Sequence, residues 1–173
     1  VARRLSSRDG GGSLSLDPAF VPPPDVLVAD IHCQPGGYMR DAGAPDLMAG
    51  ALYESGGNMY SSGVGIGRRD SKAGAVIGFL AQRFPRLEPR RILDLGCSAG
   101  GASVAYAASF PDAEVHAGDA GPAILRYAHA RAQAMVQPVH FHQMDERFLG
   151  FADQLFDLIV SHNMMHEISQ ATM

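Results

Sequence analysis

RRILDLGCSAGGAS, Arg90 to Ser103, decides how this chain folds. Ile92, Leu93 and Leu95 read as a short buried strand, because apolar residues in an unbroken run bounded by turn residues mark a strand covered on both faces. Asp94 interrupts that run, and Gly96, Gly100 and Gly101 follow immediately. A strand, a glycine turn and then a helix present backbone N–H groups at the carboxyl edge of a sheet, where a ligand can approach the main chain. Two ligand classes use such a unit most, dinucleotides and S-adenosylmethionine. The dinucleotide fingerprint G-x-G-x-x-G is incomplete here, since Gly96, Ser98 and Gly101 give G-x-S-x-x-G without the middle glycine. The same residues fit a second pattern, an acid two positions before the first glycine and then G-x-S-x-G, as Asp94, Gly96, Ser98 and Gly100.

Outward from that stretch the chain alternates. Ser71 can cap a helix in which Val76, Ile77, Leu80 and Phe84 recur at helical spacing, and Pro85 stops it. A helix follows the glycine turn from about Gly101 to Phe110. AEVHAGD (113–119) is a second strand, and Pro122 to Met135 is a helix with Ile124, Leu125, Ala128 and Ala132 in one stripe. PVHFHQMD (138–145) and QLFDLIVS (154–161) are the third and fourth strands. Alternating strands and helices with short connections predict an α/β fold, a Rossmann-like doubly wound parallel sheet. Ahead of it, residues 1–25 read as a flexible tail, with Gly10–Gly12 and then Pro22–Pro24. Residues 26–70 read as a loop-rich helical cap or lid, with short helices expected near Asp46–Ser55 and Tyr38–Ala42. Residues 71–173 form the sheet domain.

Composition narrows the function. The 173 residues are 46% hydrophobic, enough for one core, and the net charge of −4 supplies no basic field for nucleic acid or an anionic membrane. No apolar run reaches the ~18 residues of a membrane span. Two cysteines, Cys33 and Cys97, form no disulfide framework, so a cytoplasmic location is expected.

LDLGCSAGGAS resembles motif I of the class I S-adenosylmethionine-dependent methyltransferases, and three further stretches match that family in order. HAGDAG places Asp119 and Ala120 at the end of the second strand, where the family holds an acid that binds both ribose hydroxyls. QMDERF places Asp145 after the third strand, where the family reads the adenine amino edge; Glu146 is the alternative acid. FDLIVSHNMMHEIS resembles the fourth strand and its loop in small-molecule methyltransferases, and brings in Ser161, His162 and His166. The resemblance covers roughly Ser71 to Ser169. It implies S-adenosylmethionine as cofactor and S-adenosylhomocysteine as product. Cofactor contacts are implied from Asp94, Gly96, Cys97, Ser98, Gly100, Asp119, Ala120, Asp145, Glu146 and Ser161. The acceptor is expected to be a small molecule, with O, N or C as the methylated atom left open.

Several rivals stand beside that reading. A nicotinamide-dependent oxidoreductase needs pyrophosphate at the turn, which Asp94 opposes. A cofactor-binding protein without turnover would keep the fold alone. His162 and His166, four apart, would share a helical face; as H-x-x-x-H-E they do not make the H-E-x-x-H zinc motif, and no metal site is expected. A histidine beyond the fourth strand suits a general base, while loop packing or contact with the acceptor is the plainer expectation. His140 and His142 alternate on a strand and are expected to pack or hydrogen-bond. The fourth strand would leave a bare apolar edge. An incomplete C-terminus is the expected reason, and a second copy covering the edge is the alternative.

Overall fold

A computed structural model describes residues 10–28, 38–44, 46–60 and 71–167. The chain order is β1 (Gly12–Ser15), α1 (Pro24–Val28), α2 (Met48–Tyr60), α3 (Ser71–Arg83), β2 (Arg91–Leu95), α4 (Gly101–Ser109), β3 (Glu114–Asp119), α5 (Pro122–Met135), β4 (Val139–Gln143) and β5 (Leu158–Ser161). The five strands form one sheet in the order β1-β4-β3-β2-β5, and every pairing is parallel. The α/β sheet expected from the alternating pattern is therefore present, with β2 between β3 and β5 and the turn at its carboxyl end.

Register puts alternate residues on opposite faces. One row across the sheet runs Leu14, Phe141, Ala117, Asp94 and Val160. Its apolar members join Leu125, Ala128 and Ala132 of α5 and Tyr106 and Ala107 of α4 in a single core. The predicted stripe of α5 is all buried, with Ile124, Leu125, Ala128 and Ala132 at most 1% exposed. The next row on the other face runs Ser13, His140, His116, Leu93 and Ile159. Phe151 and Phe156, from the β4–β5 connection, set their ring edges against His116 there, at 5.7 and 5.5 Å. His116 Nδ1 meets His142 Nε2 at 2.9 Å, and His140 Nδ1 meets Ser13 Oγ at 3.0 Å. The strand histidines are thus packed and hydrogen-bonded, as their alternation predicts.

Four expectations need correction. The stretch read as a tail contains β1, which pairs with β4 from Gly12↔Val139 to Ser15↔His142. Gly12 has φ +78°, and a Cβ there would lie 2.2 Å from the Val139 carbonyl oxygen, so the close approach needs glycine. Second, α1 at Pro24–Val28 straddles the boundary expected at residue 25 between tail and cap. Third, Tyr38 and Met39 form a turn rather than a helix, while the helix expected at Asp46–Ser55 is α2 at Met48–Tyr60. Fourth, Phe84 lies outside the core, 48% exposed and packed edge-on to the equally outlying Phe79. The helix ends at Arg83, so Phe84 is no longer on its stripe.

The cap residues dock on α5. Ala49 and Tyr53 of α2 pack against Ala123 and Ile124. Arg126 pairs with Asp41, Tyr127 donates to Glu54, and Arg131 pairs with Glu54 at 3.4 Å. At the far side of the sheet, β5 is an edge, with Ile159 54% exposed.

Phe141 is fully buried where the sheet, α5 and the glycine turn meet. Phe141→Ala is expected to cost about 3–5 kcal/mol of unfolding free energy, read from the midpoint shift in urea.

Candidate functional site

The site is built where β2 breaks into α4. Gly96, Ser98 and Gly100 have φ of +67°, +48° and +72°. That winding turns successive amides toward the carboxyl edge, a geometry that gathers anionic groups. Cys97 N–H donates to Gly118 O at 2.9 Å, tying the turn to β3, and Gly100 N–H donates to Cys97 O at 2.9 Å. A Cβ on Gly100 would lie 2.9 Å from Ala128 Cβ and 3.2 Å from the Phe141 ring, so the turn is pressed against the core. Met164, from the loop after β5, lies against Gly96 on the other side.

Asp94 answers for its place in an apolar strand in a way the sequence left open. It is fully buried on the helix-covered face, and its Oδ2 accepts a 2.6 Å hydrogen bond from the Ser103 hydroxyl in the first turn of α4. It therefore lies beneath the turn and braces strand to helix. The sequence reading set Asp94 where strand meets turn, and its bond to Ser103 adds a structural role there.

A second carboxylate occupies one of the turn's amides. Asp119, at the end of β3, accepts from Ser98 N–H through Oδ2 and from Gly121 N–H through Oδ1, both at 2.9 Å. Burial raises its pKa, and those amides, with Ala120 N–H, oppose the rise. Burial, followed by the repulsion of nearby Asp119, pushes the pKa of Glu146 up to about 8. Cys97 is buried between these groups; desolvation first, then Asp119, Asp94 and Glu146, drives its thiol well above the ordinary range. Cys97 is therefore a neutral thiol that packs.

The remaining predicted residues are placed as follows. Ala120 is buried, and its carbonyl accepts from Gln143 Nε2 at 3.0 Å. Ser161 Oγ is buried at the end of β5 with no hydrogen-bond partner among the described residues. Asp145 is drawn into a local turn, where Arg147 Nε and Nη2 reach its two oxygens at 2.6–3.1 Å. That guanidinium holds its carboxyl below the usual range. His162 Nε2 lies 3.0 Å from the hydroxyl of buried Tyr106. His166 Nε2 pairs with Glu167 at 3.1 Å, and Glu167 also accepts from Tyr38 of the cap at 3.0 Å. Residues 162–167 form bends and a turn, so the two histidines do not share a helical face as their spacing predicted. Among the described residues no group of His, Cys, Asp and Glu is arranged to hold a metal ion, and no described helix is long and apolar enough to cross a membrane.

Residue patterns missed Ser103, Tyr106, Gln143 and Tyr38. Ser103 carried a signal, a lone hydroxyl between Ala102 and Val104 on the inner side of a small-residue helix. Gln143 and Tyr38 carried none, because their partners are distant in sequence.

These features define a parallel α/β protein with a turn-and-acid site at the carboxyl edge of the sheet. Residues 92–173 match the family model of a methyltransferase domain. A 52-residue stretch is 48% identical to trans-aconitate 2-methyltransferase of Methylobacterium radiotolerans, covering 30% of this chain and 20% of that protein. A 77-residue stretch is 36% identical to malonyl-[acyl-carrier protein] O-methyltransferase of Halorhodospira halophila, covering 44% of this chain and 26% of that protein. These matches thus span about a fifth and a quarter of the two relatives. A solved structure from Methanococcus maripaludis, described as an S-adenosyl-L-methionine-dependent methyltransferase, shares the fold at a TM-score of 0.57 and 18% identity, over 77% of this chain and 57% of that one.

Ser103→Ala would leave the buried Asp94 oxygen without its hydroxyl donor. An expected loss of about 1–3 kcal/mol in urea unfolding checks this brace.

Proposed function

We propose that the chain binds S-adenosylmethionine at the glycine turn and serves methyl transfer to a small-molecule acceptor. One observation carries the reading: the Ser98 amide of the turn is already hydrogen-bonded to the Asp119 carboxylate. A pyrophosphate approaching there would meet an occupied donor and like charge, whereas a sulfonium and an ammonium would meet opposite charge. The residues fit the cofactor in a second respect, since the buried Ser161 hydroxyl at the strand end is open to a ligand partner among the described residues.

Asp119 is the proposed acceptor of the ribose hydroxyls, because charge-assisted bonds of this kind are strong. The backbones of Gly96, Cys97, Ser98, Gly100 and Ala120 would line the ligand. Asp145 and Glu146 follow β4 on the adenine side, with Asp145 reaching the adenine only if it shares its carboxylate with Arg147. When bound, S-adenosylmethionine supplies the transferable methyl group on its sulfonium. The chain's part is to orient the acceptor and exclude water, so proximity supplies most of the acceleration. His162 and His166 are proposed as acceptor contacts. Both have an Nε2 engaged, by Tyr106 and by Glu167, which favours contact over proton abstraction. Tyr38 and α2 bring the cap to the same edge, where closure would shape the choice of acceptor. A cytoplasmic location belongs to the same proposal.

Titration calorimetry is expected to show binding of S-adenosylmethionine and S-adenosylhomocysteine and none of NAD. Binding of NAD alone would favour the oxidoreductase. Asp94→Asn is expected to weaken both methyl-cycle ligands by the same factor, since Asp94 acts on the turn; a selective loss of S-adenosylmethionine would restore a direct role against its charge.

A further inference from the structure

We infer that Gln143 is a positioning residue for the ribose end of the cofactor, and that through it the docking of β1 and the binding of cofactor strengthen each other. The inference rests on the cofactor reading of the turn and goes beyond it, because it ties that site to a strand separated from Asp119 by the width of β4.

Gln143 is the last residue of β4 and the register partner of Asp119, the last residue of β3. Its side-chain amide serves two segments at once. Nε2–H donates to the Ala120 carbonyl at 3.0 Å, and Oε1 accepts from Asp17 N–H at 3.2 Å. Ala120 lies between Asp119 and Gly121, whose N–H holds Asp119 Oδ1 at 2.9 Å, while Ser98 N–H holds Oδ2 at the same distance. Met144 N–H, next along from Gln143, donates to the Asp119 carbonyl at 3.1 Å. Gln143 and its neighbour therefore clamp both carbonyls of the short turn that carries the ribose acid. On the other side Asp17 is held in a turn of its own. Its carboxylate accepts from Ala19 N–H at 2.8 Å and its carbonyl from Phe20 N–H at 3.1 Å, which fixes the amide it offers to Gln143. Position 143 needs a donor and an acceptor together, and a primary amide supplies both where a carboxylate or an aliphatic chain does not.

β1 is an element that so small a bond can bias. It is four residues long at the sheet edge, and its apolar contacts with the core are those of the partly buried Leu14 and, just beyond it, Leu16. At its other end Gln133 of α5 brackets the backbone, with Oε1 accepting from Gly10 N–H and Nε2 donating to Gly11 O at 2.7 Å. Short edge strands of this kind open locally, well below the free energy of global unfolding. Opening of β1 takes Asp17 N–H away from Gln143, and the clamp on Ala120 loosens with it. Coupling between two sites is reciprocal, so docked β1 tightens the cofactor by the same factor as the cofactor tightens β1.

Hydrogen exchange on the unaltered chain reads that coupling. Saturating S-adenosylhomocysteine is expected to slow deuterium uptake over residues 10–17 severalfold, beyond any slowing in α3, which has no part in this chain of bonds. Gln143→Met keeps the reach of the side chain and removes both its donor and its acceptor. It should weaken S-adenosylmethionine and S-adenosylhomocysteine alike by roughly two- to tenfold, the range of one neutral hydrogen bond, and abolish the slowing over residues 10–17 while ligand still binds. Gly12→Val sets a Cβ against the Val139 carbonyl and forces β1 off the edge, so it should weaken both ligands by a similar factor. The two changes together should cost no more than the larger one alone. Uptake over residues 10–17 that ignores bound ligand, slowing that persists in Gln143→Met, or full affinity in a Gly12→Val chain whose β1 exchanges freely would overturn the inference while the cofactor reading stands. Failure of the unaltered chain to bind either ligand would instead overturn the cofactor reading, and this one with it. The exchange comparison on the unaltered chain decides the matter even if neither variant folds.

Discussion

The bond from Ser103 to Asp94 is the constraint on which the rest depends. A carboxylate in the middle of a buried strand is costly unless it is hydrogen-bonded. Its partner is in the first turn of α4, so the strand and the helix are fixed relative to each other at the point where the chain reverses. That leaves the connecting residues little room. They cross with positive φ at Gly96, Ser98 and Gly100, and Gly100 is pressed against Ala128 and Phe141. The packing of the core and the shape of the site are therefore one arrangement. A change at Phe141 or Ala128 would be felt at the turn, because close-packed interiors transmit displacement.

Above that brace the chemistry is set by charge. Turn amides oriented in this way attract anions, and here the chain supplies its own, Asp119 on Ser98. The result inverts the usual character of a glycine turn. It presents the Asp119 carboxylate, while Arg147 is engaged by Asp145. An acid at the strand end and another below the turn give the site an acidic character. Tyr38 and Glu167 extend the same edge, linking the cap to the loop beyond β5.

Particular residues show what patterns reveal and what they hide. The stripe of Ile124, Leu125, Ala128 and Ala132 was readable because helical periodicity is a local property, and it is wholly buried. So was the glycine turn, since an acid, glycines and a following small-residue helix are contiguous. β1 was not readable. Gly-Ser-Leu-Ser has one apolar residue in four, and it becomes a strand through its ladder to β4, more than a hundred residues away. The spacing of His162 and His166 suggested a common face, yet the segment after β5 bends, and each ring finds a different partner. Asp145 matched a family position, while Arg147 two residues on drew its carboxylate into a turn.

By itself, the amino-acid sequence determined the alternation of strand and helix, the position of the turn and the presence of acids near it. These follow from periodicity and short-range sterics, which are fixed by neighbours in the chain. Which acid does what was decided only by tertiary structure. Asp94 faces the helices and is buried under the turn, Asp119 and Glu146 converge on it from separate strands, and the energy of a carboxylate depends on the solvent and charges it meets in space. Asp119 lies 21 residues beyond the Ser98 amide it accepts from, and no local pattern records that pairing.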